Sequence, residues 1–352
     1  MLIAAVLSIV LVACNEGTSR LHVPADSAAL RRAERNAELL ARQLELQQRF
    51  PLISYRRIVV RSRHQRDSLF RAFGVGRSSD SSKVLATLNR KELRFIIVGD
   101  TVIVPDSIVS DLRAYSVFPQ FYPQAVDIPK LIVLSNAYQA YACYEHGELV
   151  RFAACNTGSK GKPTLPGKYY CNWKQRKRVS SLNDEWVLPY TINFHQYAGS
   201  AFHAFEMPGR PVSHACVRQF EDDAAWLFRW VKPGNVRDSI GQFYPRGTPV
   251  LILDMFDYRR PRYGPWLDLT SNRPVITNLP LDPLAVEEPW IPISQIPEKL
   301  RRGLPNRRRY IVARDTLLAR GIIDSTFRFR ASVDYNELRR KRKEAKEQRR
   351  EQ

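Results

Sequence analysis

The chain has 352 residues and a formal net charge of +20, from 55 lysines and arginines against 35 aspartates and glutamates. This length is enough for one sizeable core with smaller modules attached, and the charge favours polyanionic partners. The first apolar run, residues 2–13, is shorter than the ~20 residues that cross a bilayer, which excludes a membrane span there.

The N-terminus has the features of a secretory signal. Residues 1–13 predict a signal peptide, because an apolar core of suitable length is followed by small residues. Residues 11–14, LVAC, fit the lipobox of bacterial lipoproteins, which predicts lipid on Cys14. No Lys or Arg precedes the run, and an uncleaved anchor or a chance apolar N-terminus is the alternative. We therefore expect a lipid-anchored, periplasmic protein of the cell envelope, which contacts the membrane through its lipid and binds no nucleic acid.

Two segments precede the main domain. Residues 14–55 predict a helical spacer, because leucines and alanines recur at three- and four-residue steps. Residues 56–106 predict a small module: a strand, two helices, an apolar strand over residues 93–98, a turn at Gly99-Asp100 and a last short strand. This order resembles the lysin motif, a β-α-α-β module that binds glycan; a small α/β spacer domain is the alternative.

Residues 107–256 predict the main domain, of mostly β (α+β) class. We expect its first two strands to form a hairpin about His146-Gly147, which places Cys143 opposite Val150. One clear helix is predicted over residues 221–231. Residues 257–352 predict a proline-rich arm and a basic C-terminal tail, with a strand and a short helix within 308–331. Further strands are predicted over residues 167–173, 185–194, 200–205 and 248–254.

The stretch SHACVR, residues 213–218, carries the candidate chemistry. Cys216 has His214 two residues before it and His203 upstream. A thiolate is a strong nucleophile, and a nearby imidazole takes up the thiol proton. The helix predicted after the stretch would aim backbone N–H groups at a developing oxyanion. An inert cysteine and a zinc site built from His203, His214 and Cys216 are the alternatives.

The remaining cysteines bear on this interpretation. An exported protein can hold disulfides, and four cysteines remain once Cys14 is assigned to lipid. Cys155 and Cys171 flank one loop and are a candidate pair, whereas the hairpin register separates Cys143 from Cys155. A disulfide at Cys216 would exclude catalysis by that residue.

The run of residues 203–218 resembles the signature of the L,D-transpeptidase catalytic domain family, of the YkuD type. That signature has a histidine, a variable loop, then Ser-His-Gly-Cys, an apolar residue and Arg or Asn. The resemblance extends over residues 128–254 and implies a β-sandwich catalytic domain with one helix after the cysteine motif. Ala204 and Ala215 stand where the family usually has glycine, and the loop between them is short. The matching positions are His203, Ser213, His214, Cys216, Val217 and Arg218.

The resemblance implies a role for each catalytic position. Cys216 attacks the carbonyl of a peptidoglycan stem peptide, and His203 accepts the thiol proton while the Ala204 carbonyl orients its other ring nitrogen. His214 and the backbone amides around Cys216 hold the oxyanion, and Ser213 braces the histidines. We expect a thiolate at neutral pH. No metal or cofactor is implied.

The sequence allows two roles for the Arg218 side chain. It binds a substrate carboxylate, or it forms a structural ion pair with Asp222 or Asp223.

Three functions follow from these residues. The first is a cysteine-dependent L,D-transpeptidase that crosslinks peptidoglycan stem peptides through a thioester acyl-enzyme. The second is an L,D-carboxypeptidase or hydrolase that uses the same thiol. The third is a non-catalytic peptidoglycan-binding lipoprotein.

Overall fold

The computed structural model describes residues 27–77, 79–234, 236–237, 243–244, 246–260 and 264–351. The signal peptide and Cys14 lie outside the described residues. The chain divides into two compact units, Met1–Arg42 and Gln43–Gln352. The predicted amphipathic helix is present as α1, Ser27–Gln47. Within the described part of the chain, no helix is both long enough and apolar enough to cross a bilayer.

The second unit is mostly β, with helices before, within and after its sheets. Its elements, in chain order, are β1 Tyr55–Val59, α2 Arg63–Ala72, α3 Asp80–Leu88, β2 Thr101–Pro105, β3 Leu131–Ser135, β4 Ala140–Glu145, β5 Glu148–Ala154, β6 Gly167–Tyr170, β7 Trp173–Val179, β8 Val187–His195, β9 Ser200–Ala204, β10 Val217–Gln219, α4 Glu221–Trp230, β11 Val236–Arg237, β12 Phe243–Tyr244, β13 Pro249–Ile252, α5 Arg307–Ala319 and α6 Tyr335–Glu351.

The small module has the order β1-α2-α3-β2, and its two strands pair antiparallel. Ser62 and Ser79 cap α2 and α3 by accepting backbone N–H groups with their hydroxyls. The strand predicted over residues 93–98 is wrong, because this segment is a short 3₁₀ turn followed by coil. The Asp100 carboxylate accepts the Ile97 N–H at 3.0 Å, which folds the segment back before β2. Glycan binding by this module stays a prediction.

Two open sheets form the sandwich of the main domain. One has the strand order β5-β4-β3-β13-β6 and the other β10-β9-β8-β7. Apolar side chains of both sheets meet in one buried cluster, for example Leu134 and Tyr141 with Ile192 and Phe202. The predicted helix is present as α4, directly after β10. The predicted mostly β fold, with a small α/β module before it, is therefore confirmed.

The hairpin about His146-Gly147 forms as predicted, and both turn residues have positive φ. Its register is wrong beyond the first two pairs, because Cys143 faces Arg151 rather than Val150. A β-bulge between Cys143 and Tyr144 shifts the pairing by one residue. The segment before this turn, predicted as the first strand of the main domain, is instead two strands: β3 ends at Ser135 and β4 begins at Ala140.

The break between β3 and β4 has a local cause. The Asp254 carboxylate accepts the Ser135 hydroxyl at 2.7 Å and the Ala137 N–H at 3.0 Å. Gln139 completes the turn with φ +47°. Asp254, two residues after the end of β13, thus fixes the turn that separates β3 from β4.

Three of the four described cysteines belong to the core. Cys143, Cys155 and Cys171 are free and fully buried between the sheets. Burial raises the pKa of each of these thiols. They act as small apolar side chains here.

The C-terminal segment differs from its prediction. Residues 308–331 contain no strand, and α5 occupies Arg307–Ala319. Ala313 and Leu317 are buried four residues apart, so the helical period buries one face. The basic tail is helical, as α6.

The small module and the sandwich share one core. Ile53, Val84 and Ile103 cluster with residues of the main domain. Arg90 is fully buried after α3, and its guanidinium donates to the Tyr138 carbonyl at 3.0 Å. The domain boundaries proposed from the sequence stay predictions.

Candidate active site

The candidate site lies where β10 pairs with β9. The two strands are parallel, with Val217 opposite Phe202 and Arg218 opposite His203. This pairing brings the cysteine motif beside the upstream histidine, although 13 positions separate His203 from Cys216 in the sequence. A cavity of about 210 Å³ opens there. Five of the predicted site residues line it: His203, Ser213, His214, Cys216 and Arg218.

His203 is arranged as a proton acceptor. Its side chain is buried, and Nδ1 donates to the Ala204 carbonyl at 3.0 Å. This contact leaves Nε2 as the acceptor nitrogen. Burial lowers the pKa of His203 to about 4, with a smaller effect from Arg218 in the same direction. The imidazole is therefore neutral at pH 7.

Cys216 differs from the expected resting thiolate. Its half-buried thiol lies 3.9 Å from the Gly199 carbonyl. Burial raises the pKa of Cys216, and the Ala201 backbone N–H and the guanidinium groups of Arg218 and Arg178 only partly oppose this. The structure thus favours a neutral thiol and a neutral imidazole in the same cavity.

Ser213 braces the turn before the cysteine rather than the histidines. Its hydroxyl donates to the Cys216 carbonyl, and its N–H donates to the Thr157 carbonyl at 3.0 Å. The Ser213 carbonyl accepts the Ser159 N–H at 2.9 Å. The predicted contact of Ser213 with the histidines is therefore replaced by main-chain contacts that hold residues 213–216.

The loop after β5 supports this turn from one side. Gly158 pairs with Ser213 in a parallel bridge, and its N–H donates to the Thr164 hydroxyl at 2.9 Å. A Cβ on Gly158 would lie 2.1 Å from the Lys162 carbonyl oxygen, so only glycine fits. Gly158 thus has a packing role beside the site.

Asn156 joins the site to its surroundings. Its backbone exchanges two hydrogen bonds with Arg218, at 2.9 and 3.0 Å. Its fully buried amide donates to the Arg90 carbonyl at 3.0 Å and accepts the Gly209 N–H at 2.8 Å. Asn156 has no signal in the sequence as a site residue, since Arg90, Gly209 and Arg218 are all distant from it in the chain.

His214 is held by a residue of the C-terminal segment. Its Nε2 lies 3.0 Å from the Tyr335 hydroxyl, and its ring packs 5.3 Å from the Trp186 ring. Burial lowers the pKa of His214 to about 4, and Lys162 and other cations add to this. Tyr335 and Trp186 were missed in the sequence, because 121 residues separate Tyr335 from His214.

Arg218 has no carboxylate partner among the described ion pairs. Asp222 pairs with Lys83, and Asp223 pairs with Arg151 at 2.6 Å, so the predicted alternative ion pair is wrong. Arg218 instead donates to the Glu206 carbonyl at 3.1 Å and lies over the Phe205 ring.

A second guanidinium, that of Arg178, lines the same cavity, and no Asp or Glu is among the described residues that line it. The sequence offered a hint of this residue only in the basic run 174–178. The cavity is therefore suited to an anionic group. Across the described residues, no cluster of three or more His, Cys, Asp or Glu side chains is placed to bind a metal.

Comparison with known proteins gives one family match. Residues 129–252 match the YkuD family, described as the L,D-transpeptidase catalytic domain. No curated protein matches the chain.

Several solved structures are similar at low identity. One is an L,D-transpeptidase from Mycobacterium smegmatis, with 17% identity, 35% of this chain covered and a TM-score of 0.29. Another, from Stackebrandtia nassauensis, has 20% identity, 37% of this chain covered and a TM-score of 0.30. A third, L,D-transpeptidase 1 from Mycobacterium tuberculosis, has 21% identity, 36% of this chain covered and a TM-score of 0.27. The chain spans 58%, 58% and 61% of these three chains, respectively.

Ala204 and Ala215 stand where the family usually has glycine. Replacing each by glycine should change the free energy of unfolding in opposite directions. Ala215 has φ +72°, where an L side chain is strained, whereas Ala204 lies in β9 without positive φ. We expect Ala215→Gly to raise the free energy of unfolding by about 1 kcal/mol. Ala204→Gly should lower it by about 0.5–1 kcal/mol, because glycine is unfavourable in a strand. Urea unfolding of both variants checks this, and equal responses would contradict the assigned backbone conformations.

The pH dependence of thiol alkylation tests the resting state of Cys216. Because burial raises its pKa, we expect the rate of modification by iodoacetamide to keep rising with pH above the ordinary thiol range. Peptide mapping locates the label, and Cys216→Ser serves as the blank. A rate that levels off below pH 8 would instead indicate a preformed thiolate.

Proposed function

We propose that this chain, whose residues 129–252 match the L,D-transpeptidase catalytic domain family, is a peptidoglycan L,D-transpeptidase with Cys216 as its nucleophile. One observation carries the proposal: the cavity that holds this thiol also holds His203, His214 and Arg218. The family match supplies the reaction class, and the cavity supplies residues for each step. Stem peptides are the substrate class that the match suggests.

The first half-reaction forms a thioester. Cys216 Sγ attacks the carbonyl carbon that precedes the terminal D-amino acid of a stem peptide, while His203 Nε2 takes the thiol proton. Because His203 is neutral and its Nδ1 is bound to the Ala204 carbonyl, Nε2 is the nitrogen that accepts. The carbonyl oxygen becomes an oxyanion, for which His214 and backbone amides near Cys216 are donors. The intermediate collapses, the C–N bond breaks, and His203 returns its proton to the leaving amine.

The second half-reaction releases the acyl group. An amine of another stem attacks the thioester carbonyl, its proton passes to His203, and the C–S bond breaks. The Cys216 sulfur regains a proton from His203, and a new amide crosslink remains. Water in place of the amine would give a carboxypeptidase, which uses the same residues.

Arg218 is our candidate for binding a carboxylate of the stem. Its guanidinium lines the cavity, and its described contacts are a backbone carbonyl and an aromatic ring rather than an acid. A charge-assisted hydrogen bond to a substrate carboxylate is stronger than one to a carbonyl. The absence of acids from the described lining of the cavity removes the main competitor for such a substrate group.

Acylation by a carbapenem tests the nucleophile and the base. The β-lactam carbonyl should form a stable adduct with Cys216, seen as an intact-mass increase, and Cys216→Ser should show none. We expect His203→Ala to slow acylation by about 100-fold or more, the usual effect of losing a general base. His64→Ala, an exposed histidine of α2, is the matched control and should behave as the wild type.

The same proteins incubated with tetrapeptide muropeptides distinguish the outcomes of the reaction. Crosslinked dimers identify a transpeptidase, and tripeptide monomers alone identify a carboxypeptidase. Arg218→Met should raise KM by about tenfold, since it removes a charge-assisted contact. A folded wild-type protein with neither adduct nor product would leave a non-catalytic wall-binding protein as the better interpretation.

We further propose that the protein is a lipoprotein of the cell envelope, anchored at Cys14. The support is the lipobox at residues 11–14 and the preceding apolar run. Metabolic labelling with a fatty-acid probe should mark the wild type and a Thr18→Ala control, and Cys14→Ala should lose the label. Equal labelling of all three proteins would refute the anchor.

A further inference from the structure

The C-terminal segment builds part of the candidate active site. Pro297 and Leu300 line the cavity of Cys216, and Tyr335 contacts His214 at the start of α6. These residues lie far beyond the match to the catalytic domain family, which ends at residue 252. The described site is therefore assembled from the catalytic domain and a segment outside it.

A set of hydrogen bonds fixes the start of α6 on the loop between β7 and β8. The Tyr335 N–H donates to the Leu182 carbonyl at 2.7 Å, and the Asn336 side chain accepts the Asp184 N–H at 2.9 Å. Arg339 donates to the Asn183 side chain at 2.9 Å and pairs with the carboxylate of Asp184. The same loop lines the cavity through Leu182 and Trp186. Tyr335 is thus anchored by its own backbone and by its neighbours.

Aromatic packing restricts the His214 ring as well. Trp186 lies 5.3 Å from His214 and 5.5 Å from Tyr335, measured between ring centroids. Tyr335 also packs edge-on against His214 at 5.7 Å. The three rings form one cluster in the cavity of Cys216, so the His214 imidazole packs against two aromatic rings and is also contacted at Nε2.

The contact on Nε2 determines which nitrogen of His214 is available. A neutral imidazole has one N–H, and its other nitrogen is an acceptor. If the Tyr335 O–H donates to Nε2, the ring proton must be on Nδ1. If Nε2 carries the proton instead, the Nε2–H group donates to the Tyr335 oxygen, and Nδ1 has no hydrogen to donate. Only the first arrangement makes His214 a donor to an oxyanion.

We propose that Tyr335 is a positioning residue that holds His214 with its proton on Nδ1, ready to donate to the oxyanion. This inference rests on the proposed function for its effect on turnover. The tautomer itself can be measured independently of turnover. The C-terminal segment is, in this view, a required part of the catalytic site rather than a passive arm.

The test uses Tyr335→Phe in the full chain, which keeps the ring and removes the hydroxyl. We expect kcat for muropeptide turnover to fall about tenfold, with KM within about twofold, because one oxyanion donor loses its orientation rather than being deleted. Alkylation of Cys216 should be unchanged. Tyr310→Phe is the control, since the Tyr310 hydroxyl has no hydrogen-bond partner among the described residues, and it should match the wild type.

The second readout is the tautomer, observed by NMR on protein labelled with ¹⁵N-histidine and assigned with His214→Gln. We expect wild-type His214 to carry its proton on Nδ1 at pH 7 and Tyr335→Phe to lose this preference. A wild-type proton on Nε2, or an unchanged tautomer in Tyr335→Phe, would overturn the proposal. If the wild type lacks carbapenem adducts and products, the proposed function fails, while the tautomer measurement still decides the role of Tyr335.

Discussion

The buried hydrogen bonds of Asn156 hold the candidate site together. Its backbone pairs with Arg218 in the strand that follows Cys216, and its amide binds the backbone of Arg90 and Gly209. One fully buried residue therefore joins backbone groups of Arg90, Gly209 and Arg218. A buried amide that lost these partners would leave several polar groups unsatisfied, at about 1–3 kcal/mol each. The position of β10, and with it that of Cys216, depends on these hydrogen bonds of Asn156.

The electrostatics of the cavity are consistent with proton transfer during attack. Burial acts in opposite directions on the two partners, since it raises the pKa of Cys216 and lowers that of His203 to about 4. Both therefore prefer their neutral forms. The guanidinium groups of Arg178 and Arg218 favour negative charge in the same space. A negative charge that appears on sulfur or on the substrate oxygen during the reaction would thus find complementary surroundings.

Local patterns could be predicted from the sequence, and long-range contacts could not. The turn at His146-Gly147 and helix α4 follow from nearby residues, and the grouping of His203 with Cys216 came from resemblance to a family motif. The bulge that moves Cys143 opposite Arg151 arises from the pairing of whole strands, which no short pattern encodes. The contact of Tyr335 with His214 depends on the path of the C-terminal segment. The positive φ of Ala215 could not be predicted from the residue type, because alanine disfavours positive φ.

The three core cysteines have a consequence for oxidation chemistry. Cys143, Cys155 and Cys171 have no exposed surface, and burial keeps each in the thiol form. Thiol–disulfide exchange requires both a thiolate and access to an oxidant. Within the described residues only Cys216 is open to solvent, so it is the sulfur that peroxide or a small disulfide would reach first. Cysteine oxidation in the described part of the folded protein should accordingly fall on Cys216, with the core thiols still reduced.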